Sequence, residues 1–498
     1  MKRRPFLSSL GAALLVGHQA SAAKSVRRDR VSLRDAHKGT LEIDTRLLDS
    51  YGPPTRDRRQ FYLEARACFA ENADADFTHP QILAAAQRNG IALMGGPMLG
   101  DVSEHGVTIW LRPATEQDIS LSVEGKTIPI KDTVPGKVTQ HRIDGLQPNR
   151  SYSYAISVGK TPVAEGTFRT APEKDARDVF RLAFGSCCHK IGVHNANLFG
   201  TVVDRQPHAM MLLGDIAVDD RNNEVNMHRA DYQLRDTSVA WQHLVGHVPV
   251  FASWDDHDYF DNDRSGIPRR YTAADRDAVR SVWHENWNNP RTPDSAEGIY
   301  FRSRLGPVEV IMLDTRSCRD NTRRNQYGSY LGDAQLEWLK QSLQSSTAPF
   351  KVISSGTMWS DYVSKAKDSW GTWDKQAREE IFALIEKEQI GGVLLVSGDR
   401  HGARGFRIPR PSGFSFHEFE PATLGGVSGP KGRVDGCDDQ LFGYDGSDAD
   451  GEDFIAFGEF TFDTRQNEPV VTFRLVGQHG DIHEEHHFTL AQLTPPSA

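Results

Sequence analysis

Five short apolar runs, each ending in a cluster of polar groups, constrain this chain more than any other feature of its sequence. Residues 181–184 lead into Gly185-Ser186-Cys187, and residues 210–213 into Gly214-Asp215. Residues 248–251 precede Trp254-Asp255-Asp256-His257-Asp258. Residues 308–313 precede Asp314-Thr315-Arg316, and residues 393–396 precede Ser397-Gly398-Asp399-Arg400-His401. Apolar runs this short read as buried strands, and helical patterns lie between them. Strands and helices in alternation imply layered α/β architecture, in which sites collect just past strand C-termini.

Singly, the clusters have plain explanations. Cys187-Cys188 packs as a pair of small hydrophobes, and Gly-Asp after a strand is a common turn. Asp255 to Asp258 is less ordinary, because four adjacent ionisable groups repel one another unless a cation or hydrogen bonds compensate. Taken together, the strand ends bring oxygen, nitrogen and one thiolate towards a common place. That donor set suits two cations, one softer and one harder. Two cations roughly 3.5–4 Å apart can clamp a phosphate, activate a water and stabilise in-line displacement. The metal-ligand candidates are therefore Cys187, Asp215, Asp255, Asp256, Asp399 and His401.

The rest of the chain divides by pattern. Lys2-Arg3-Arg4-Pro5-Phe6-Leu7, a short apolar run and Ala20-Ser21-Ala22 predict a twin-arginine signal peptide over residues 1–23. It implies recognition by the twin-arginine export machinery and a periplasmic or secreted destination. Its apolar run is far shorter than the ~20 residues of a membrane span, and no other stretch looks membrane-spanning. Residues 24–90 form a charged helical segment to which no function attaches. Residues 91–172 alternate apolar and polar side chains in several short strands and predict a small β-sandwich. There Gly145-Leu146-Gln147-Pro148 followed by Tyr152-Ser153-Tyr154 resembles a fibronectin type III domain. After a linker, residues 178–492 form the domain that carries the five strand-end clusters. A net charge of −9 argues against a nucleic-acid surface or a polybasic membrane patch. The five cysteines fit neither a zinc ribbon nor a disulfide framework, and their odd number leaves a thiol over, assigned to Cys187.

The combination of motifs resembles the PhoD-like alkaline phosphatase D family of the calcineurin-like metallophosphatase superfamily. The matching stretches are Phe184-Gly185-Ser186-Cys187, Leu213-Gly214-Asp215, Trp254-Asp255-Asp256-His257-Asp258-Tyr259 with Asn262-Asp263, Leu313-Asp314-Thr315-Arg316, Leu331-Gly332-Asp333-Ala334-Gln335 with Trp338-Leu339, and Ser397-Gly398-Asp399-Arg400-His401. The resemblance implies a fibronectin-like sandwich followed by a four-layer α/β/β/α domain. It implies hydrolysis of small phosphomonoesters or phosphodiesters by metal-bound hydroxide, with iron and calcium as the metals. Cys187 would be the thiolate ligand of one metal, Asp215 would bridge, and Asp256 would reach the second metal, supported by Asn262. Asp399 and His401 would complete the two coordination spheres. His257 would act as general acid, and Arg316 either clamps phosphate or forms a structural salt bridge.

Two positions depart from the family. A tyrosine often follows the bridging aspartate by three residues, but Val218 stands there, leaving Asp219 or Asp220 to compensate. Many relatives carry an acidic residue soon after the last motif, where this chain reads Gly402-Ala403-Arg404. Two rival readings follow: a phospholipase D-like phosphodiesterase on the same centre, or a secreted binding protein that has kept the fold and lost catalysis. The run His483-Glu484-Glu485-His486-His487 has zinc-protease spacing, but that chemistry needs a helix and the run reads as a strand.

Overall fold

The computed structural model describes residues 31–50, 52–293, 297–362, 369–425, 429, 431–447 and 453–497. The signal-peptide reading of residues 1–23 lies outside them. Two large sheets form the centre of the molecule. The first has nine strands in the order Ile482–Thr489, Val470–Gly477, Ala456–Asp463, Val179–Gly185, Ala209–Leu212, Val250–Ala252, Leu93–Gly100, Val107–Pro113 and Thr139–Ile143. The second has seven: Phe301–Leu305, Val308–Met312, Phe350–Ser354, Val393–Val396, Ser415–Pro421, Ala403–Pro409 and Gln440–Tyr444.

Side-chain alternation explains why these strands stack in layers. Leu182 and Phe184 join the core between the sheets, together with Met211, Val310, Met312, Leu394 and Val396. Their neighbours Ala183, Met210 and Leu212 face a layer of helices containing Leu198, Phe199, Trp241 and Leu244. Ile311, Ile353 and Leu395 face the opposite helical layer, built from Leu336, Leu339, Ile381 and Phe382. Each strand is thus apolar on both faces, as a buried parallel strand must be, and the expected four-layer α/β/β/α architecture results. Register is strict here, because a one-residue slip would turn every side chain to the other layer.

The strands of 91–172 fall into two groups. Leu93–Gly100, Val107–Pro113 and Thr139–Ile143 continue the nine-stranded sheet, joined to it where Gly100 pairs in parallel with Val250. Lys126–Ile130, Ile119–Val123, Ser151–Val158 and Thr161–Arg169 form a separate four-stranded sheet. Ile119, Leu121 and Ile156 share one apolar core with Leu99, Ile109 and Leu111, so this sandwich is fused to the large sheet along one of its halves. The run 483–487 lies on the strand Ile482–Thr489, as its pattern predicts.

The N-terminal segment folds as helices Leu33–Ala36, Leu41–Ser50, Arg56–Glu71 and Pro80–Arg88. It is held by buried charge. Asp44, with no exposed surface, accepts from Arg66 Nε at 2.7 Å and lies 3.3 Å from Lys190 Nζ. Arg221 and Lys190 also reach Asp231, at 2.7 and 3.4 Å. The Gly39 carbonyl accepts from both Arg66 and Arg221. Gly39 has φ +53°, and a Cβ there would lie 2.1 Å from Arg221 Nη1, so only glycine fits. Burial alone would raise the Asp44 pKa, but Lys190, Arg221 and Arg66 hold it below its ordinary value. Asp44→Ala leaves buried cations uncompensated and should lower unfolding free energy by about 3–5 kcal/mol in urea titration. Because the folded pKa is depressed, the wild-type contribution is complete above about pH 4 and is lost as acid protonates the carboxylate.

Candidate metal centre

The five expected clusters meet between the two sheets. Val179–Gly185, Ala209–Leu212 and Val250–Ala252 run parallel in the first sheet, and Val308–Met312 and Val393–Val396 run parallel to Phe350–Ser354 in the second. Their C-terminal ends therefore present Cys187, Asp215, Asp255 to Asp258, Asp314 to Arg316 and Asp399 to His401 on one rim. Cys187, Asp215 and His401 offer ligand atoms within 4.8 Å of one another, and so do Asp215, Asp256 and His257. Asp215 belongs to both groups.

The backbone is unusual where these side chains leave it. Cys187, His189, Asp215, Asp220, Asp399 and His401 all have φ between +50° and +67°. Left-handed backbone at non-glycine residues is uncommon and gathers at functional sites, where the surrounding structure enforces it. Here hydrogen bonds do so. Cys187 N donates to Gly214 O at 3.0 Å and His189 N to Asp215 O at 2.7 Å, which ties the first two strand-end loops together. Asp258 accepts from the backbone N–H groups of Asp215 and Ile216, bracing the Asp215 loop. Thr423 Oγ1 donates to Cys187 O at 2.7 Å. Gly214 (φ +113°) passes against Asp255, where a Cβ would sit 2.6 Å from the Asp255 nitrogen.

The centre is rich in buried carboxylate. Asp215, Asp255, Asp256 and Asp258 are all buried. Burial, reinforced by Asp256, Asp255 and Asp258, pushes the Asp215 carboxyl well above its ordinary range. Burial likewise pushes Asp258 up to about 7 and the Cys187 thiol well up. Asp215 Oδ1, Asp256 Oδ1 and His189 Nε2 are buried with no hydrogen-bond partner. Unmatched acceptors at such depth are costly unless a cation compensates them. A cation would also favour the Cys187 thiolate over the thiol. The enclosed His401 imidazole is pushed by burial down to about 3, which leaves it neutral, the form that ligates. These residues fit a metal pair.

Arg316 has no exposed surface, and its Nε and Nη2 contact both oxygens of Asp255 at 2.5 and 2.9 Å. Nη2 also lies 3.4 Å from Asp399 and 3.6 Å from Asp256. This geometry supports the salt-bridge alternative for Arg316 and gives Asp255 a partner within the protein. Asn262 is exposed at the rim, and its backbone N–H donates to Asp220. Val218 is buried in the apolar layer with Ile216 and Trp254.

Four groups at the centre, His37, His189, Asp219 and Asp220, carry no strand-end signal in the sequence. His257 Nδ1 bonds Asp220 Oδ1 at 2.6 Å, and His189 Nδ1 bonds Asp219 Oδ1 at 2.8 Å. Each carboxylate thus fixes the tautomer of an imidazole whose other nitrogen stays available, the arrangement usual for ligating histidines. Burial would lower the His257 pKa, but Asp256, Asp215 and Asp220 hold it well above its ordinary range. His37, from the N-terminal segment, packs on His257 with ring centroids 4.3 Å apart. His189 stands two residues after Cys187, as His401 stands two after Asp399, and that repeated spacing was the one signal available for it.

A family model described as "PhoD-like phosphatase" matches residues 182–429, the span from the first strand-end cluster to the turn beyond the last. Residues 182–429 carry a PhoD-like phosphatase domain. Alkaline phosphatase D of Bacillus subtilis (strain 168) is 24% identical over 319 residues, which are 52% of this chain and 52% of that protein. The chain thus spans about half the length of this curated relative. A solved structure of PhoD superposes with a TM-score of 0.65 at 18% identity, covering 80% of this chain and 91% of that one. Purple acid phosphatase PPD1 from yellow lupin (Lupinus luteus) seeds gives 0.55 at 12% identity, covering 81% and 77%. The two structures establish the shared fold. The family predicted from the strand-end motifs is the one found.

Proposed function

We propose that this chain is an exported, metal-dependent phosphoesterase of the alkaline phosphatase D type that hydrolyses phosphomonoesters, phosphodiesters or both. The observation that carries the reading is Asp215, buried and shared between two ligand groups, with an oxygen that no protein donor satisfies. On this reading Cys187, His189 and His401 hold the softer cation, iron, while Asp256 and Asp399 hold the harder one, calcium, with Asn262 at its edge. The cations supply Lewis acidity towards the phosphoryl group and a nucleophile at neutral pH. His257 holds a proton on its outward nitrogen towards the leaving-group oxygen, and Asp220, accepting from Nδ1–H, favours the doubly protonated ring that carries it. Arg316 acts from beneath, holding Asp255 and Asp399 in place. Export rests on the twin-arginine pattern of residues 1–23. Among the described residues no helix is long and apolar enough to cross a membrane.

Elemental analysis of the native protein, with turnover of p-nitrophenyl phosphate and of bis-p-nitrophenyl phosphate, tests the proposal. Stoichiometric metal with turnover of either ester supports it, and a preference for the bis-ester selects the phosphodiesterase form. His257→Ala should lower kcat for an alkyl phosphate, whose basic leaving group needs a proton, by about 10²–10⁴, the range for losing a general acid, with metal content unchanged. A protein that purifies without metal, and whose His257→Ala variant behaves like wild type, is the binding protein instead.

A further inference from the structure

We propose that His37 is a positioning residue for His257, which makes the N-terminal helical segment part of the catalytic centre. The inference rests on the phosphoesterase reading and on four observations. The His37 ring packs against His257 in a tilted arrangement, with centroids 4.3 Å apart and planes 33° from parallel. Its Nδ1 is 3.4 Å from Asp220 Oδ2, and Asp220 is the carboxylate that holds His257 Nδ1. Its Nε2 is 3.8 Å from Asp219 Oδ1, the carboxylate that holds His189, and is buried with no hydrogen-bond partner. The loop that carries His37 is pinned two residues later, where Arg66 and Arg221 grip the Gly39 carbonyl.

His37 therefore stands between the two carboxylates that orient the imidazoles of the centre and closes one face of His257. The environment is not one a helix terminus needs for stability. Burial pushes the His37 imidazole down to about 4, a cost that a smaller polar residue at the end of Leu33–Ala36 would avoid. What the position supplies is a wall. His257 hangs from a single bond between Nδ1 and Asp220, so its ring can swing about that bond unless its faces are packed. A proton donor must meet the leaving oxygen at hydrogen-bond distance in the transition state, and a misplacement of about 1 Å costs about 10²-fold.

The test exploits leaving groups. An alkyl phosphate expels a strongly basic alkoxide and needs the proton, whereas p-nitrophenolate leaves without one. In the full-length, metal-loaded protein, His37→Ala should lower kcat for an alkyl phosphate at least ~10-fold. For p-nitrophenyl phosphate it should change kcat little, with KM and metal content unchanged for both. His37→Phe keeps a flat ring against His257 and should recover most of the loss, which guards against a fold defect in the alanine variant. Lys38→Ala, an exposed change on the same loop, should match wild type. Equal loss on both esters, no loss, failure of His37→Phe to recover turnover, or metal lost together with activity would each overturn the inference. In the last case His37 is itself a ligand. If wild type hydrolyses neither ester, the phosphoesterase reading falls first and this inference falls with it.

Discussion

On the phosphoesterase reading, Asp215→Asn should cripple turnover and leave a folded protein that no longer holds metals in stoichiometric amounts. Loss of rate should reach roughly 10³-fold, the scale on which a site loses rate when one charge-stabilising group goes. The amide is isosteric, so Asp258 can still accept from the backbone N–H groups of residues 215 and 216. It cannot bridge two cations as an anion. The sign of the stability change is less obvious and more informative. Without metal, Asp215 is a buried carboxyl whose pKa is raised by burial and by Asp256, Asp255 and Asp258, and a neutral amide relieves that repulsion. The metal-free variant should therefore melt no lower than metal-free wild type. Wild type should gain stability on metal addition, because a ligand that binds only the native state stabilises it, and the variant should gain little. Melting curves with and without metal measure both effects. A variant that keeps stoichiometric metal would remove Asp215 from its shared position.

Arg316→Ala is expected to cost more in folding than any other single change at the centre. It leaves Asp255 buried and unneutralised beside Asp256 and Asp399, and breaking such a pair from one side costs about 3–5 kcal/mol. Urea denaturation should show a lower midpoint. Arg316→Lys should not restore it, because an ammonium cannot match both Asp255 oxygens at once. If Arg316→Ala instead unfolds like wild type and weakens only the binding of inorganic phosphate, the guanidinium is a phosphate clamp.

Much of the centre was legible because the fold puts its ligands in one kind of place. A short buried strand leaves a clear apolar run, and the polar groups following it have no role in the core, so Cys187, Asp215, Asp256, Asp399 and His401 stand out. The sheets beyond them were less legible. The strands of 91–172 announce themselves by alternation, but alternation does not say which sheet a strand joins, and the pairing of Gly100 with Val250 is nonlocal. His37 was out of reach for a similar reason. It is a lone histidine in a charged helical segment, and its importance comes from His257, two hundred and twenty positions further on. Arg316 could not be resolved between its two readings by sequence, since either uses the same residue after the same strand. Only the 0% exposure of its side chain and both oxygens of Asp255 against it favour one.

The placement of the N-terminal segment also bears on the order in which the molecule can be built. Its docking partners, Lys190 and Arg221, lie more than a hundred residues downstream. The strand that leads into Cys187 is not enclosed until Ala456–Asp463, more than two hundred residues later, pairs with its free edge. Chains dominated by such distant contacts fold slowly, because loop closure is paid before the contacts reward it. The helices of 33–88 must therefore wait for the segment that carries Lys190 and Arg221 before they have a surface to settle on.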